Sequence, residues 1–107
     1  MNWEQKLAAL QAFADTSICM RKPGDWYVHM RAELKGDGVL SSASGNGRTP
    51  EEAVEDHWRK VTAPGAVIVR DAMNAARREV RWNGFMWADD FSASYRARNP
   101  DGEAPHA

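Results

Sequence analysis

The chain has little of what usually identifies a small protein from its sequence. It has a single cysteine, Cys19, which excludes an internal disulfide and fits a reducing compartment. Its 14 basic and 15 acidic side chains nearly cancel, so it lacks the global positive field of a dedicated duplex-binding protein. Duplex nucleic acid is therefore not expected as a partner, and any anion-binding site must be local.

Long apolar runs are also missing. The start, M-N-W-E-Q-K-L, has neither the basic segment nor the apolar core of a signal peptide. No later stretch approaches the length of a membrane span. We therefore expect a cytoplasmic protein that has no membrane partner.

Signals for catalysis and for cofactors are equally sparse. The three histidines, His29, His57 and His106, have no spacing suited to a metal shared with one another or with Cys19. There is no Walker-type loop, no G-x-G-x-x-G loop and no G-x-S-x-G elbow. We expect no catalytic residues, no metal and no cofactor. For His57, on the buried face of a helix, we expect a structural, hydrogen-bonded role.

Helix and strand signals follow one another along the chain. Helices are predicted over residues 2–14, where Asn2 can act as the cap, and over 50–61, where T-P-E-E supplies a capping threonine, a proline and a glutamate in favourable positions. Residues 15–24 contain Pro23-Gly24 and are predicted to be a junction without regular structure. The predicted strands cover residues 25–34, 39–45 and 67–69 and the two arms of a hairpin in residues 77–88.

These elements predict an α+β fold in two layers. Two helices would cover one face of an antiparallel sheet, in the order α-β-β-α-β-β-β. The length allows one domain, which we place over residues 1–98. Residues 99–107, N-P-D-G-E-A-P-H-A, are polar and turn-forming, and we expect them to be a disordered tail.

The strongest local pattern lies in residues 77–88, R-R-E-V-R-W-N-G-F-M-W-A. Asn83-Gly84 between two β-prone runs is typical of a type I′ turn with a two-residue loop. That turn would place Trp82 opposite Phe85 and Val80 opposite Trp87. One face of the hairpin would then carry Val80, Trp82, Phe85 and Trp87, and the other Glu79, Arg81 and Met86, with Arg77 and Arg78 at its start.

Arginines beside aromatic side chains suit a nucleotide, because bases stack on aromatic rings and guanidinium groups bind phosphates. The alternative is that the aromatic face is core while the arginines pair with acids, and for Trp82 and Trp87 the sequence leaves both readings open. Arg48 gives a weaker signal, since it follows G-N-G before a helix N-terminus that favours anions, although a flexible glycine turn is the preferred explanation there. The candidate ligand-binding residues are Arg48, Arg77, Arg78, Arg81, Trp82, Asn83, Phe85 and Trp87.

Two partial resemblances bear on function. Y-V-H-M-R-A-E-L, followed by S-G-N-G-R-T-P-E-E-A-V-E-D-H-W, resembles the strand-strand-helix half of HicB-type antitoxins over about a third of the chain. The turn between the strands departs from that family, because K-G-D-G stands in place of a proline-glycine-cysteine turn.

The second resemblance lies in R-R-E-V-R-W-N-G-F-M-W, which is similar to the first type of Thoeris anti-defence protein, a phage family that sequesters cyclic ADP-ribose signals. The resemblance implies an oligomer that binds its ligand between subunits without turning it over. Asn83 and the aromatic and arginine positions beside it would contact the ligand. If a phage encodes the chain, the host-cell cytoplasm is its location.

These observations predict a non-enzymatic protein that sequesters a cyclic nucleotide-type immune signal, either a cyclic ADP-ribose isomer or a cyclic oligonucleotide. A homo-oligomer is expected, because five tryptophans give more apolar surface than two short helices readily cover. The alternative is a protein-interaction inhibitor, antitoxin-like or anti-CRISPR-like, that binds a host protein directly.

Overall fold

The computed structural model describes residues 1–36 and 39–89, which form two helices and a six-stranded antiparallel sheet. The fold is therefore of the α+β class. The predicted tail, residues 99–107, lies outside the described residues. In chain order the elements are α1 (Trp3–Phe13), β1 (Thr16–Lys22), β2 (Asp25–Gly36), β3 (Val39–Gly47), α2 (Pro50–Val61), β4 (Val67–Arg70), β5 (Arg78–Trp82) and β6 (Trp87–Asp89).

The strand β1 is the element that the sequence did not predict, because residues 15–24 were read as a junction. Its apolar residues do not alternate with polar ones, and a neighbouring strand edge decides whether such a segment becomes a strand. Pro23-Gly24 is the turn into β2, with Gly24 at a φ of 77°. The order of elements is therefore α-β-β-β-α-β-β-β, with one strand more than predicted.

The central strand is β2, which pairs with β3 along one edge and with two strands along the other. Residues 25–30 of β2 pair with β1, and residues 33–35 pair with β4. The pairing with β3 shifts between His29 and Glu33, where β2 advances from His29 opposite Ser44 to Glu33 opposite Ser42. This irregularity coincides with the point where the other neighbour of β2 changes from β1 to β4.

The helix α1 begins as predicted, with a capping box. Asn2 Oδ1 accepts a hydrogen bond of 2.8 Å from the backbone N–H of Gln5, and the Gln5 side chain accepts one of 2.9 Å from the Asn2 N–H. The helix buries Leu10 and Phe13. It is tied to α2 by the ion pair between Lys6 and Glu55 at 2.6 Å.

The helix α2 also has the predicted bounds and cap. Thr49 Oγ1 accepts a hydrogen bond of 3.1 Å from the Glu52 N–H, and Pro50 is the first helical residue. Ala53, Val54 and Val61 are buried, and Trp58 is half-buried against the core.

The helix α2 lies in direct contact with β3 because two glycines allow it. A Cβ atom added to Gly45 would come within 2.2 Å of the Ala53 carbonyl oxygen and 2.6 Å of His57 Cβ. At Gly47 the added atom would lie 2.5 Å from Glu52 Cβ. The small side chains of β3 predict close approach by another group, and that group is the chain's own helix.

Two clusters of buried side chains hold the helices to the sheet. The smaller one joins Val28 to Ala53 and Val54, with Trp3, Leu7, Ile18 and Trp26 packed around it. The larger one joins both helices to β2, β3, β4, β5 and β6. Its members are Leu10, Phe13, Ala14, Met30, Ala32, Ala43, Val61, Ile68, Val80 and Trp87.

The close contact between α2 and β3 gives a stability prediction. Gly45→Ala should destabilise the fold by about 1–3 kcal/mol, because the added methyl group meets backbone atoms that can move only with the helix. The matched control is Gly36→Ala, since a Cβ at Gly36 meets no atom within 4 Å. Urea unfolding followed by tryptophan fluorescence measures both, and equal midpoints for the two variants would contradict the packing role of Gly45.

Candidate functional site

The predicted hairpin is present, but its loop is longer than expected. Trp82 pairs with Trp87 and Arg81 with Ala88, so residues 83–86 form a four-residue loop. Gly84 has a φ of 102°, whereas Asn83 is not at positive φ, and the predicted two-residue type I′ turn is therefore wrong.

The Asn83 side chain explains the longer loop. Its Oδ1 accepts hydrogen bonds of 2.9 Å from the backbone N–H groups of both Phe85 and Met86. The Asn83 N–H in turn donates to the Met86 carbonyl oxygen at 3.1 Å. An asparagine that binds the backbone two and three residues ahead closes a turn by itself. In this structure Asn83 therefore shapes the loop, and its side-chain oxygen is occupied.

The tryptophans of the hairpin belong to the core. Trp82 and Trp87 lie on the same face as Val80, as predicted, with ring centroids 5.0 Å apart, and the Trp58 ring lies 4.9 Å from that of Trp82. Trp87 is 9% exposed and donates from its indole nitrogen to the Ala9 carbonyl oxygen at 2.7 Å. Of the two alternatives that the sequence left open, the structure shows core packing for Trp87 and a half-buried position for Trp82.

Phe85 and Met86 are placed differently from the tryptophans. The predicted register would have put Phe85 on the aromatic face, but it lies in the loop and is 91% exposed. Met86, next to it, is 59% exposed. The tip of the hairpin thus presents two adjacent large apolar side chains to solvent, and we call residues 83–86 the hairpin tip.

The arginines near the hairpin are divided between the two faces of the sheet, because successive strand residues point to opposite sides. Arg70 and Arg78 lie on the helix side, where Arg70 donates to the Phe13 carbonyl oxygen at 2.7 Å and Arg78 pairs with Asp89 at 2.9 Å. Arg81 lies on the other side. The predicted arginine cluster therefore does not form one surface.

Around Glu79 the same far side carries a compact charge cluster. Glu79 is 3% exposed, and its carboxylate pairs with Arg77 at 2.5 Å and with Lys35 at 3.4 Å. Arg77 also donates to the Ala72 carbonyl oxygen at 3.2 Å. We call the side of the sheet that carries Tyr27, His29, Arg31, Glu33, Lys35, Arg77, Glu79 and Arg81 the polar face.

The N-terminus of α2, where Arg48 suggested an anion site, is surrounded by acids. A cavity of about 670 Å³ lies here, and Arg48 faces four carboxylates across it: Asp25, Glu51, Glu52 and Glu55. The Arg48 N–H donates to the Glu52 carboxylate at 2.7 Å. The glycines before the helix are required for its packing on β3, and the preferred reading of G-N-G as a backbone feature fits this geometry.

A smaller cavity of about 360 Å³ lies on the polar face, between the irregular part of β2 and the connection from β4 to β5. Asp71, on that connection, has a φ of 53° and is the only residue other than glycine at positive φ in the described part of the chain. The charged and polar residues that line the cavity are His29, Arg31, Glu33, Ser42, Asp71 and Asn74. Sequence reasoning missed this cavity because residues 70–76 show no regular pattern. Side chains of both signs line it.

Asp56 joins α2 to β3 through its carboxylate. It accepts hydrogen bonds from the Asn46 N–H at 2.9 Å and from Arg59 at 2.6 Å, and it pairs with Lys60 at 2.9 Å. Burial raises the pKa of Asp56, but the bonds from Asn46, Lys60 and Arg59 outweigh burial and lower the pKa to about 2.

His57 is buried as predicted, but neither ring nitrogen has a hydrogen-bond partner among the described residues, contrary to the expected hydrogen-bonded role. Burial disfavours the imidazolium and lowers the pKa of His57 to about 4, with Lys60 acting in the same direction and Asp56 opposing it. The residue is held neutral between α2 and β3.

Within the described residues, no group of three or more histidine, cysteine or acidic side chains could hold a metal ion. Neither of the two described helices is long and apolar enough to cross a membrane.

Comparison of the chain with protein-family models, with curated proteins and with solved structures gave no match.

His57 gives a prediction for the dependence of stability on pH. The ordinary pKa is 6.5 and the folded value about 4, so the unfolded chain takes up the proton first as the pH falls. The free energy of unfolding should therefore be unaffected by His57 above pH 6.5. Protonation of His57 in the unfolded chain should lower it by about 3 kcal/mol as the pH falls to about 4. Asp56 contributes only below this window, between its ordinary 3.8 and about 2.

Urea unfolding at a series of pH values tests this decline. His57→Leu should flatten the curve between pH 6.5 and 4, since no group at that site would then titrate. The control is His29→Leu, because His29 is exposed on the polar face and is the smallest of the causes that lower the His57 pKa, so its replacement should leave most of the decline in place. A His57→Leu variant with an unchanged slope would refute the assignment.

Proposed function

We propose that the chain is a non-enzymatic protein-interaction module that docks on another protein through the hairpin tip. The observation that carries the proposal is the exposure of Phe85 at 91% beside Met86 at 59%. A large aromatic side chain that inserts into a pocket of the partner is the usual anchor of a protein interface. The partner would present an apolar pocket to Phe85.

The tip suits such a role because it is held in shape before binding. Asn83 fixes the backbone at Phe85 and Met86 through two hydrogen bonds of 2.9 Å. Below the tip, Trp82 packs on Trp87, which is bonded to Ala9 of α1. A side chain presented by a rigid loop loses little conformational freedom on binding, so more of its contact energy contributes to affinity.

This proposal corresponds to an inhibitor that acts by direct binding to a host protein, as an antitoxin or an anti-CRISPR protein does. The proposal assumes that the two helices form one layer over the sheet. Their mutual ion pair and their shared core with the strands favour this arrangement. The hairpin would then project from a fixed support.

Capture from host-cell lysate with the tagged protein tests the proposal. A single stoichiometric partner is expected, and Phe85→Ala should weaken its binding by about 30-fold, as loss of an interface anchor of about 2 kcal/mol does. Met73→Ala is the matched control, because Met73 is 95% exposed on the connection from β4 to β5 at the other end of β5. Equal loss or equal retention of binding in both variants would refute docking through the tip.

A second candidate is the sequestration of a cyclic nucleotide signal. It is favoured by the polar face, which carries the basic residues Arg31, Lys35, Arg77 and Arg81 against the acids Glu33 and Glu79. A flat anionic ligand would lie on this face, since Trp87 is buried on the other side of the sheet. Arg21 lies 4.2 Å over the Tyr27 ring on this face, so the exposed Phe85 would be the aromatic residue that stacks on the ligand.

Calorimetry with cyclic ADP-ribose isomers and cyclic oligonucleotides tests this second candidate. If one of them binds, Arg81→Ala should weaken its affinity about tenfold or more, because a charged hydrogen bond is lost. Arg59→Ala serves as the control, since its exposed side chain lies on α2 and pairs with Asp56. Ligand recovered intact after denaturation supports sequestration. The absence of binding heat across the panel would exclude the candidate.

A further inference from the structure

One edge of β1 is open in the described part of the chain. Residues 16–22 pair with β2 along one edge, and no other described strand pairs with β1. Met20, at this end of the sheet, is 52% exposed. An unpaired edge presents N–H and C=O groups that another strand can bind.

The direction of each backbone group in β1 follows from one hydrogen bond. The Arg31 N–H donates to the Asp15 carbonyl oxygen at 2.8 Å, so the backbone N–H and C=O of Asp15 point towards β2. The direction of these backbone groups alternates along a strand. The N–H and C=O groups of Ser17 and Cys19 therefore also point towards β2, whereas those of Thr16, Ile18 and Met20 point to the open edge.

Part of the outward edge is already occupied. The Gln11 side-chain amide donates to the Thr16 carbonyl oxygen at 3.3 Å, which covers the N-terminal end of the edge. The outward groups that remain are those of Ile18 and Met20. They lie on either side of Cys19, so the open part of the edge is centred on that residue.

A second copy of β1 can pair with this edge in the antiparallel direction and bind both Ile18 and Met20. With Ile18 opposite the partner's Met20 and Met20 opposite the partner's Ile18, each pair exchanges two backbone hydrogen bonds. Cys19 then stands opposite the partner's Cys19 at a site of the non-hydrogen-bonded kind. The arrangement has the two-fold symmetry of most homodimers.

The charges of the segment agree with this register. Asp15 lies at one end of the segment, and Arg21 and Lys22 lie at the other, all three exposed. Antiparallel pairing brings the basic end of the segment to the acidic end of the partner's segment and keeps Arg21 away from its own equivalent. Opposite charges across a strand pair stabilise it, whereas like charges destabilise it.

We propose that two copies of this chain associate through their β1 edges, with Ile18 opposite the partner's Met20, to form one continuous sheet across a two-fold axis. The second copy is thus the occupant of the edge. The interface is separate from the hairpin tip, which lies on the connection between β5 and β6, so either can fail without the other.

Light scattering after size exclusion tests the association, with a mass of about 24 kDa expected for two chains of 12.0 kDa. Met20→Pro should give a monomer, because it removes an outward N–H while leaving the pairing of β1 with β2 intact. Met20→Ala is the matched control and should remain a dimer, since it keeps the N–H. A monomer for the unaltered chain, or a dimer for Met20→Pro, would overturn the proposal.

Cross-linking of the unaltered chain gives an independent test of the register, and it decides the matter if Met20→Pro does not fold. Cys19 is the sole cysteine, so any disulfide joins two chains. Diamide takes two electrons and two protons from the two thiols as the S–S bond forms. Residues opposed at a non-hydrogen-bonded site have Cα atoms about 4.5 Å apart, within the range that a disulfide spans. We expect rapid conversion to a dimer on a non-reducing gel, whereas cross-linking no faster than in the urea-unfolded chain would refute the register.

Discussion

The contact between α2 and β3 at Gly45 and Gly47 is the constraint on which the rest of the structure depends. With no Cβ atom on the strand, the helix backbone reaches it directly, and Asp56 can then bind the Asn46 N–H at 2.9 Å. Lys60 reaches the Ser44 carbonyl oxygen at 3.0 Å. The same approach buries His57, which stays neutral at pH 7 because burial lowers its pKa to about 4. Because β3 also pairs along β2, this contact with β3 fixes where the apolar face of α2 meets the central strand.

The aromatic residues of the hairpin show how the core and a binding surface compete for the same side chains. Trp58, Trp82 and Trp87 pack edge to face. Such ring pairs add stability beyond the apolar area that they bury. Trp87 also links the hairpin to α1 through its bond to Ala9. Those rings stabilise the fold and leave Phe85 and Met86 as the exposed apolar groups of the hairpin.

The charged side chains near the hairpin are divided between the two faces of the sheet, because successive strand residues point to opposite sides. Arg70 and Arg78 reach the carbonyl end of α1 and the Phe13 ring, where cations complement the helix dipole. Arg77 and Lys35 neutralise the buried Glu79 on the other side. Arginines that are close in sequence therefore act in two separate places, and their number alone says little about affinity for an anion.

Local signals in the sequence were sufficient for α1 and α2, because the caps at Asn2 and Thr49 and the apolar spacing act within a few residues. The strand β2 was also predicted, from residue 25, and so was the shared face of Val80, Trp82 and Trp87. The strand β1 was not predictable, since its residues become a strand by pairing with β2. Nor was the loop length at Asn83, because the pairing of Trp82 with Trp87 sets the register and the Asn83 side chain closes the four-residue loop. The open edge of β1 exists only because β1 pairs with β2 along its other edge. The sequence by itself determined the elements whose stability is local, and the tertiary structure decided which side chains they leave exposed.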